Sequence, residues 1–204
     1  MLFRSTLISS FSKKFKNCQI GIGGQNCHEN DSYGAYTGSV NSRMLKDIGA
    51  HFVIIGHSEN RGKGENDKLI NLKIKSALEA KLKVIFCIGE TLKEKRKKKT
   101  QLILSKQIKV GLENIDKRSN IFIAYEPVWA IGSGIIPKSK DLFKTVAFIK
   151  SKFKDKSPKV LYGGSVNPQN ITNLKEINNI DGFLIGGASQ STKKFIDIVK
   201  KTYS

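Results

Sequence analysis

The run Ile121-Phe122-Ile123-Ala124-Tyr125, continued by Glu126-Pro127-Val128-Trp129-Ala130-Ile131-Gly132-Ser133-Gly134, decides how the rest of the chain is read. Five apolar residues without alternation describe a strand covered on both faces, as in a parallel sheet. One carboxylate, Glu126, stands at its end. Partial desolvation there is expected to raise its pKa towards that of a usable general base. A strand-end glutamate paired with a lysine is the plainer reading, and the loop that follows argues against it. Trp129 is a bulky anchor, and Gly132 and Gly134 permit backbone rearrangement on either side of Ser133, as a closing lid requires.

Working outward, similar apolar runs occur at Gln19–Ile22, His51–Ile55, Lys83–Ile88, Lys159–Tyr162 and Asp181–Ile185. Amphipathic stretches separate them. From Ser139 to Lys154, Ser139 can cap a helix while Leu142, Val146, Ile149 and Phe153 form one buried stripe. Other helices are expected at about 42–48, 65–81, 94–114, 168–177 and 190–202. Alternating strand and helix implies an α/β architecture, either an open doubly wound sheet or a (β/α) barrel. Every polar or glycine-rich candidate follows a strand: Gly56-His57-Ser58-Glu59, Gly89-Glu90, Glu126, Gly163-Gly164-Ser165 and Gly186-Gly187. A barrel gathers all such loops around one mouth, so the barrel is favoured, as a single domain over 1–204.

A chain of 204 residues with 39% hydrophobic composition can form one sizeable core. No apolar run approaches the ~20 residues that span a bilayer, and the apolar part of Met1–Ile8 is too short for a secretory signal. A soluble cytoplasmic protein is expected. Cys18, Cys27 and Cys87 are odd in number and scattered, which indicates neither a disulfide framework nor a metal site. The net charge of +19 raises nucleic acid as a partner. Apart from Lys93-Glu94-Lys95-Arg96-Lys97-Lys98-Lys99, however, the lysines are spread over polar helix faces, and the aromatic residues lie mostly in apolar runs. A solvated, lysine-biased surface is the reading adopted, with neither nucleic acid nor membrane as partner; its field would help to collect a small anionic substrate.

His57 closes a strand at the start of a turn or helix, where donor amides disfavour its protonation. A neutral imidazole there can donate a hydrogen bond to a carbonyl or enediolate. Gly163-Gly164-Ser165 and Gly186-Gly187-Ala188-Ser189 are small-residue turns whose amides can approach an oxyanion. In barrels the last two strand-to-helix loops often bind phosphate, although glycine pairs also serve ordinary tight turns.

Taken together, Gly56–Arg61, Cys87-Ile88-Gly89-Glu90, the Glu126 segment, Tyr162–Val166 and Gly186–Ser189 resemble the triosephosphate isomerase family, in order, from about residue 18 to the C-terminus. The resemblance implies a TIM (β/α)8-type barrel acting on dihydroxyacetone phosphate and glyceraldehyde 3-phosphate. It implies Glu126 as the base, His57 as the neutral electrophile and Glu59 as a supporting carboxylate; the first two roles are those by which the family is known, a glutamate base working with a neutral histidine. Gly132, Ser165, Gly186 and Gly187 would grip the phosphate, and no cofactor or metal is implied. The segment Gln25–Gly38 is similar to the loop with which each family subunit reaches into its partner, so a homodimer is expected, or assembly through sheet edges. Family members begin with a strand ending in Asn-x-Lys, a helix and a second strand. Here Met1 falls about where that second strand should finish. Residues 1–17 are then expected to supply a remnant of it and a helix over Ser9–Phe15, leaving an N-terminally incomplete barrel of about six to seven recognisable strands. The Asn-x-Lys motif is expected to be absent, and activity weak or lost; a non-catalytic, phosphate-binding or assembling scaffold is the alternative.

Overall fold

The computed structural model describes residues 2–116, 118–153 and 157–204, so Lys154, the expected end of one helix, lies outside the described residues. Two compact units emerge, Met1–Cys87 with Lys109–Phe122, and Ile88–Ile108 with Ile123–Ser204. In chain order the elements are β1 (Leu2–Phe3), α1 (Ser5–Lys14), β2 (Gly23–Gly24), α2 (Ser42–Asp47), β3 (Phe52–Ile55), α3 (Ser58–Gly62), α4 (Asp67–Glu79) and β4 (Lys83–Ile88). There follow α5 (Leu92–Arg96), α6 (Thr100–Gly111), β5 (Ile121–Tyr125), α7 (Ser139–Lys150), β6 (Val160–Tyr162), α8 (Ile171–Lys175), β7 (Gly182–Phe183) and α9 (Thr192–Tyr203).

In the first unit β1, β2, β3 and β4 lie side by side and parallel, with Phe52 opposite both Gly23 and Lys83. In the second, β5 pairs with β6 and β6 with β7, again parallel. Strands lined on both sides explain the unbroken apolar runs: Val53, Ile55, Val84 and Phe86 are fully buried in the first unit, and Ile123, Val160 and Tyr162 in the second. Helices supply the other wall. Ile70 and Ile74 of α4, and Leu142, Val146 and Ile149 of α7, are each fully buried, and each such side chain is worth about 1.5–3 kcal/mol of transfer free energy.

Four expected elements need correction. The strand expected at Gln19–Ile22 lies immediately after that run, at Gly23–Gly24. A Cβ on Gly23 would lie 2.4 Å from the Phe52 ring and 2.7 Å from its carbonyl oxygen, so the ladder here requires the bare backbone that a search for apolar side chains passes over. The helix expected at Ser9–Phe15 begins at Ser5, because Ile8 at its first turns is fully buried. The single helix expected over 94–114 is two. Thr91 and Glu94 form a capping box that starts α5, and Lys98, at φ +56°, ends it. There Lys98 N–H donates to Lys95 O and Lys99 N–H to Glu94 O, the paired bonds of a left-handed C-terminal turn. Ser139 is the first helical residue of α7, not its cap; that position belongs to Lys138, whose side chain makes no capping bond.

The close approach at Gly23 predicts its own test. Gly23→Ala should lower unfolding free energy in urea by about 1–3 kcal/mol. Gly62→Ala, whose added methyl would meet nothing within 4 Å, should be neutral or stabilising by up to about 1 kcal/mol. Equal effects from the two would contradict the packing described.

Candidate active site

In the second unit, Glu126 leaves the end of β5 with 3% of its surface exposed. Its N–H donates to Ile88 O at 2.8 Å, and Val128 N–H to Glu90 O at 3.1 Å, so the peptide is held against the segment after β4. On the other side Gly163 N–H donates to Tyr125 O at 2.9 Å. A Cβ on Gly163 would lie 2.8 Å from Glu126 Cγ. Glycine at 163 is thus a condition for the carboxylate to stand where it does.

The segment after Glu126 is fastened at two places. Trp129 Nε1–H donates to Glu90 Oε1 at 3.0 Å, and Tyr125 O–H donates to the same carboxylate at 3.2 Å. Burial, and then the Glu90 charge, raise the Tyr125 pKa, so the phenol stays a donor. The Lys95 ammonium lies 3.1 Å from the centroid of the Trp129 ring, a cation–π contact; burial holds its pKa below the ordinary lysine value, with Glu90 acting the other way. At the far end Ser165 Oγ–H donates to Ala130 O at 2.6 Å and accepts from Gly134 N–H at 3.1 Å. Gly132 and Gly134 both have positive φ, +66° and +74°, which supports the glycine-hinged reading of this loop.

Ser165 therefore meets the loop that carries Gly132. Gly186 and Gly187 form a separate turn after β7, closed by Ser189 Oγ–H and N–H donating to Gly186 O at 2.6 and 2.9 Å. Neither has positive φ, and a Cβ at either would meet nothing within 4 Å. Internal packing does not demand glycine at these two positions. The Tyr162 hydroxyl, buried beside Gly164, has no hydrogen-bond partner among the described residues.

In the first unit, Gly56 turns at φ +78° after β3, and His57 caps α3. His57 Nδ1 accepts from Glu59 N–H at 3.3 Å; an accepting nitrogen carries no proton, which leaves Nε2–H as the donor of a neutral ring. Glu59 is held to His57 by this backbone bond, and its own side chain is exposed. Arg61, to which the sequence pattern assigns no role, fixes the turn. Its guanidinium donates to Gly56 O at 2.8 Å, to Cys87 O at 3.2 Å and to Asp67 Oδ1 at 2.6 Å. An arginine four residues after a strand-ending histidine was the available signal.

A family model described as triosephosphate isomerase matches residues 2–202. The triosephosphate isomerase of Thermodesulfovibrio yellowstonii is 45% identical over 201 residues, 95% of this chain and 81% of that protein. The chain belongs to the triosephosphate isomerase family. A second relative, from Dictyoglomus thermophilum, is 43% identical over 199 residues, 93% of this chain and 80% of its own. The crystal structure of the family member from Bartonella henselae superposes with a TM-score of 0.90 at 38% identity, over 100% of this chain and 85% of that one. The α/β fold of this chain is thus the TIM-barrel fold of the family, and its relatives are isomerases. The expectation that Asn-x-Lys is absent fails in its literal form. The tripeptide occurs at Asn66-Asp67-Lys68, Asn71-Leu72-Lys73 and Asn173-Leu174-Lys175, but Asn66 caps α4, the second lies within α4 and the third within α8. None closes a strand.

The family-like loop Gln25–Gly38 rests on a buried pair. Lys73 donates to Glu65 and, at 3.3 Å, to Asn26 Oδ1, while Asn26 Nδ2–H donates to Glu65 Oε1 at 2.8 Å. Cys27 sits beside them. Burial pushes its thiol from 9.0 up to about 12, Glu65 and Glu29 adding to the rise and Lys73 opposing it. Above pH 9 the unfolded chain loses this proton while the folded chain keeps it, so the contribution is complete below that pH and disappears towards pH 12.

Two measurements test these arrangements. Gly163→Ala should displace the Glu126 carboxylate and cut turnover about 100-fold, with a much smaller change in thermal stability; unchanged turnover would contradict the crowding. In denaturation series above pH 9, stability should fall by up to about 1.4 kcal/mol per pH unit from Cys27, and Cys27→Ala should flatten that slope.

Proposed function

We propose that this chain interconverts dihydroxyacetone phosphate and glyceraldehyde 3-phosphate, as a step of glycolysis in the cytoplasm. The observation that carries the reading is a buried carboxylate, Glu126, followed directly by a glycine-hinged loop fastened at Trp129 and Ser165. Glu126 takes a proton from the carbon beside the carbonyl. The electron pair moves into a carbon–carbon double bond and the carbonyl oxygen becomes an enediolate oxygen, to which His57 Nε2–H donates. Once the hydroxyl proton has passed from the neighbouring oxygen to the enediolate oxygen, Glu126 returns its proton to the carbon that bore the carbonyl, and the neighbouring oxygen becomes the new carbonyl. A preorganised donor of this kind lowers the barrier by about 3–4 kcal/mol. Glu59 supports the histidine through its backbone N–H.

The phosphate falls to Gly132, Ser165, Gly186 and Gly187. Packing asks for no glycine at 186 or 187, and a group drawing close to their amides would. Among the described residues no strand ends in Asn-x-Lys, the motif through which the resemblance would supply a cation for the developing charge. Turnover is expected to be lower by about 10²–10³ than that of a family member that carries it. The loop Gln25–Gly38 is assigned to a homodimer: residues 32–38 are exposed, with Tyr33 82% exposed.

A coupled assay for triose phosphate isomerisation is the test. Weak turnover that vanishes in Glu126→Gln and falls in His57→Gln is the expected result. Turnover that survives Glu126→Gln would remove Glu126 as the base, and no turnover in the unaltered chain would favour the scaffold reading.

A further inference from the structure

The first unit contains a second concavity. Whereas His57 lies two residues beyond the end of β3, this cavity of about 310 Å³ opens beside His51, the residue before its first. It lies among the end of α1, the chain leading to β2 and the turn after α2. Its apolar surface comes from Phe15, Ile20 and Ile22, with Ile20 38% exposed. Its polar groups are of one sign. Lys13 and Lys16 line it, with no carboxylate among the lining residues. His51 Nδ1 accepts from Ile22 N–H at 3.3 Å, which leaves Nε2 as the protonated nitrogen, and so a donor. The Ser12 hydroxyl, by contrast, is engaged with Ser9 O and Ile48 O.

We infer that this cavity binds a small amphiphilic carboxylate, its apolar body against Phe15, Ile20 and Ile22 and its head between Lys13, Lys16 and His51. The volume suits the class. At about 30 Å³ per water it displaces about ten waters, enough for an aromatic ring with a short acid tail, and it lies at the small end of ligand cavities. Charge complementarity excludes a cationic occupant, and the apolar wall gives an anion without a body nothing to bury. The site is independent of the isomerase reading, because none of its residues is assigned to that chemistry.

Cys18 supplies the measurement. It lines the cavity and is exposed, whereas Cys27 and Cys87 are buried, so alkylation of the folded chain reports on this place. The probes are 3-phenylpropanoate, the neutral 3-phenylpropanol and acetate. At about ten times its Kd, 3-phenylpropanoate should slow Cys18 alkylation about tenfold and shift the amide resonances of Gly49 and His51; the other two should do neither. Lys13→Gln/Lys16→Gln should weaken 3-phenylpropanoate about tenfold or more while leaving isomerase turnover unchanged. Equal protection by the neutral alcohol, or by acetate, or no response to 3-phenylpropanoate, would overturn the assignment. So would undiminished binding in the double variant.

Discussion

The arrangement around Glu126 depends on one steric condition, that nothing larger than hydrogen stands on the Cα of Gly89. A Cβ there would lie 1.8 Å from the Glu126 carbonyl oxygen, a distance no relaxation of a side chain can relieve. With glycine in place, Gln107 reaches in and brackets the same residue, accepting from Gly89 N–H at 2.9 Å and donating to Gly89 O at 3.1 Å. A carboxamide thus supplies the pair of bonds that a neighbouring peptide would. The next residue, Glu90, is fixed by this contact, and from it the Trp129 and Tyr125 bonds follow. The placement of Glu126, of the Glu90 carboxylate and of the Trp129 anchor follows from a single close approach.

Charge is distributed on a similar economy. The chain is strongly cationic overall, yet its acidic groups are placed at turns and element ends. Asp67 holds Arg61, Asp31 holds Arg43, Asp181 joins Lys150 and the Val160 amide, and Glu94 closes the first turn of α5. With 17 acidic residues against 36 lysines and arginines, the balance remains strongly positive. The resulting positive field acts over about 10 Å at 0.1 M salt, a range suited to drawing in a small phosphorylated substrate rather than to holding it.

Much of this was legible in the sequence. Apolar runs located β3, β4 and β5 to within a residue or two, because strands buried on both faces leave no room for polar side chains. The glycine-hinged loop, the capping histidine and the two small-residue turns were legible for the same reason: each is a local demand on residue type. What escaped depends on partners distant in the chain. The Gly23–Gly24 strand exists because Phe52 covers it, and Arg61 matters because Cys87 O and Asp67 come within its reach. The break at Lys98 escaped for a different reason, since a lysine in left-handed backbone carries no compositional signal.

The hydroxyl of Ser165 joins Ala130 and Gly134, one on each side of Gly132. Because a single atom serves both, the two bonds cannot be released one after the other without leaving that oxygen half satisfied. Any excursion of the intervening residues that draws Ala130 and Gly134 away together then breaks two bonds at one oxygen.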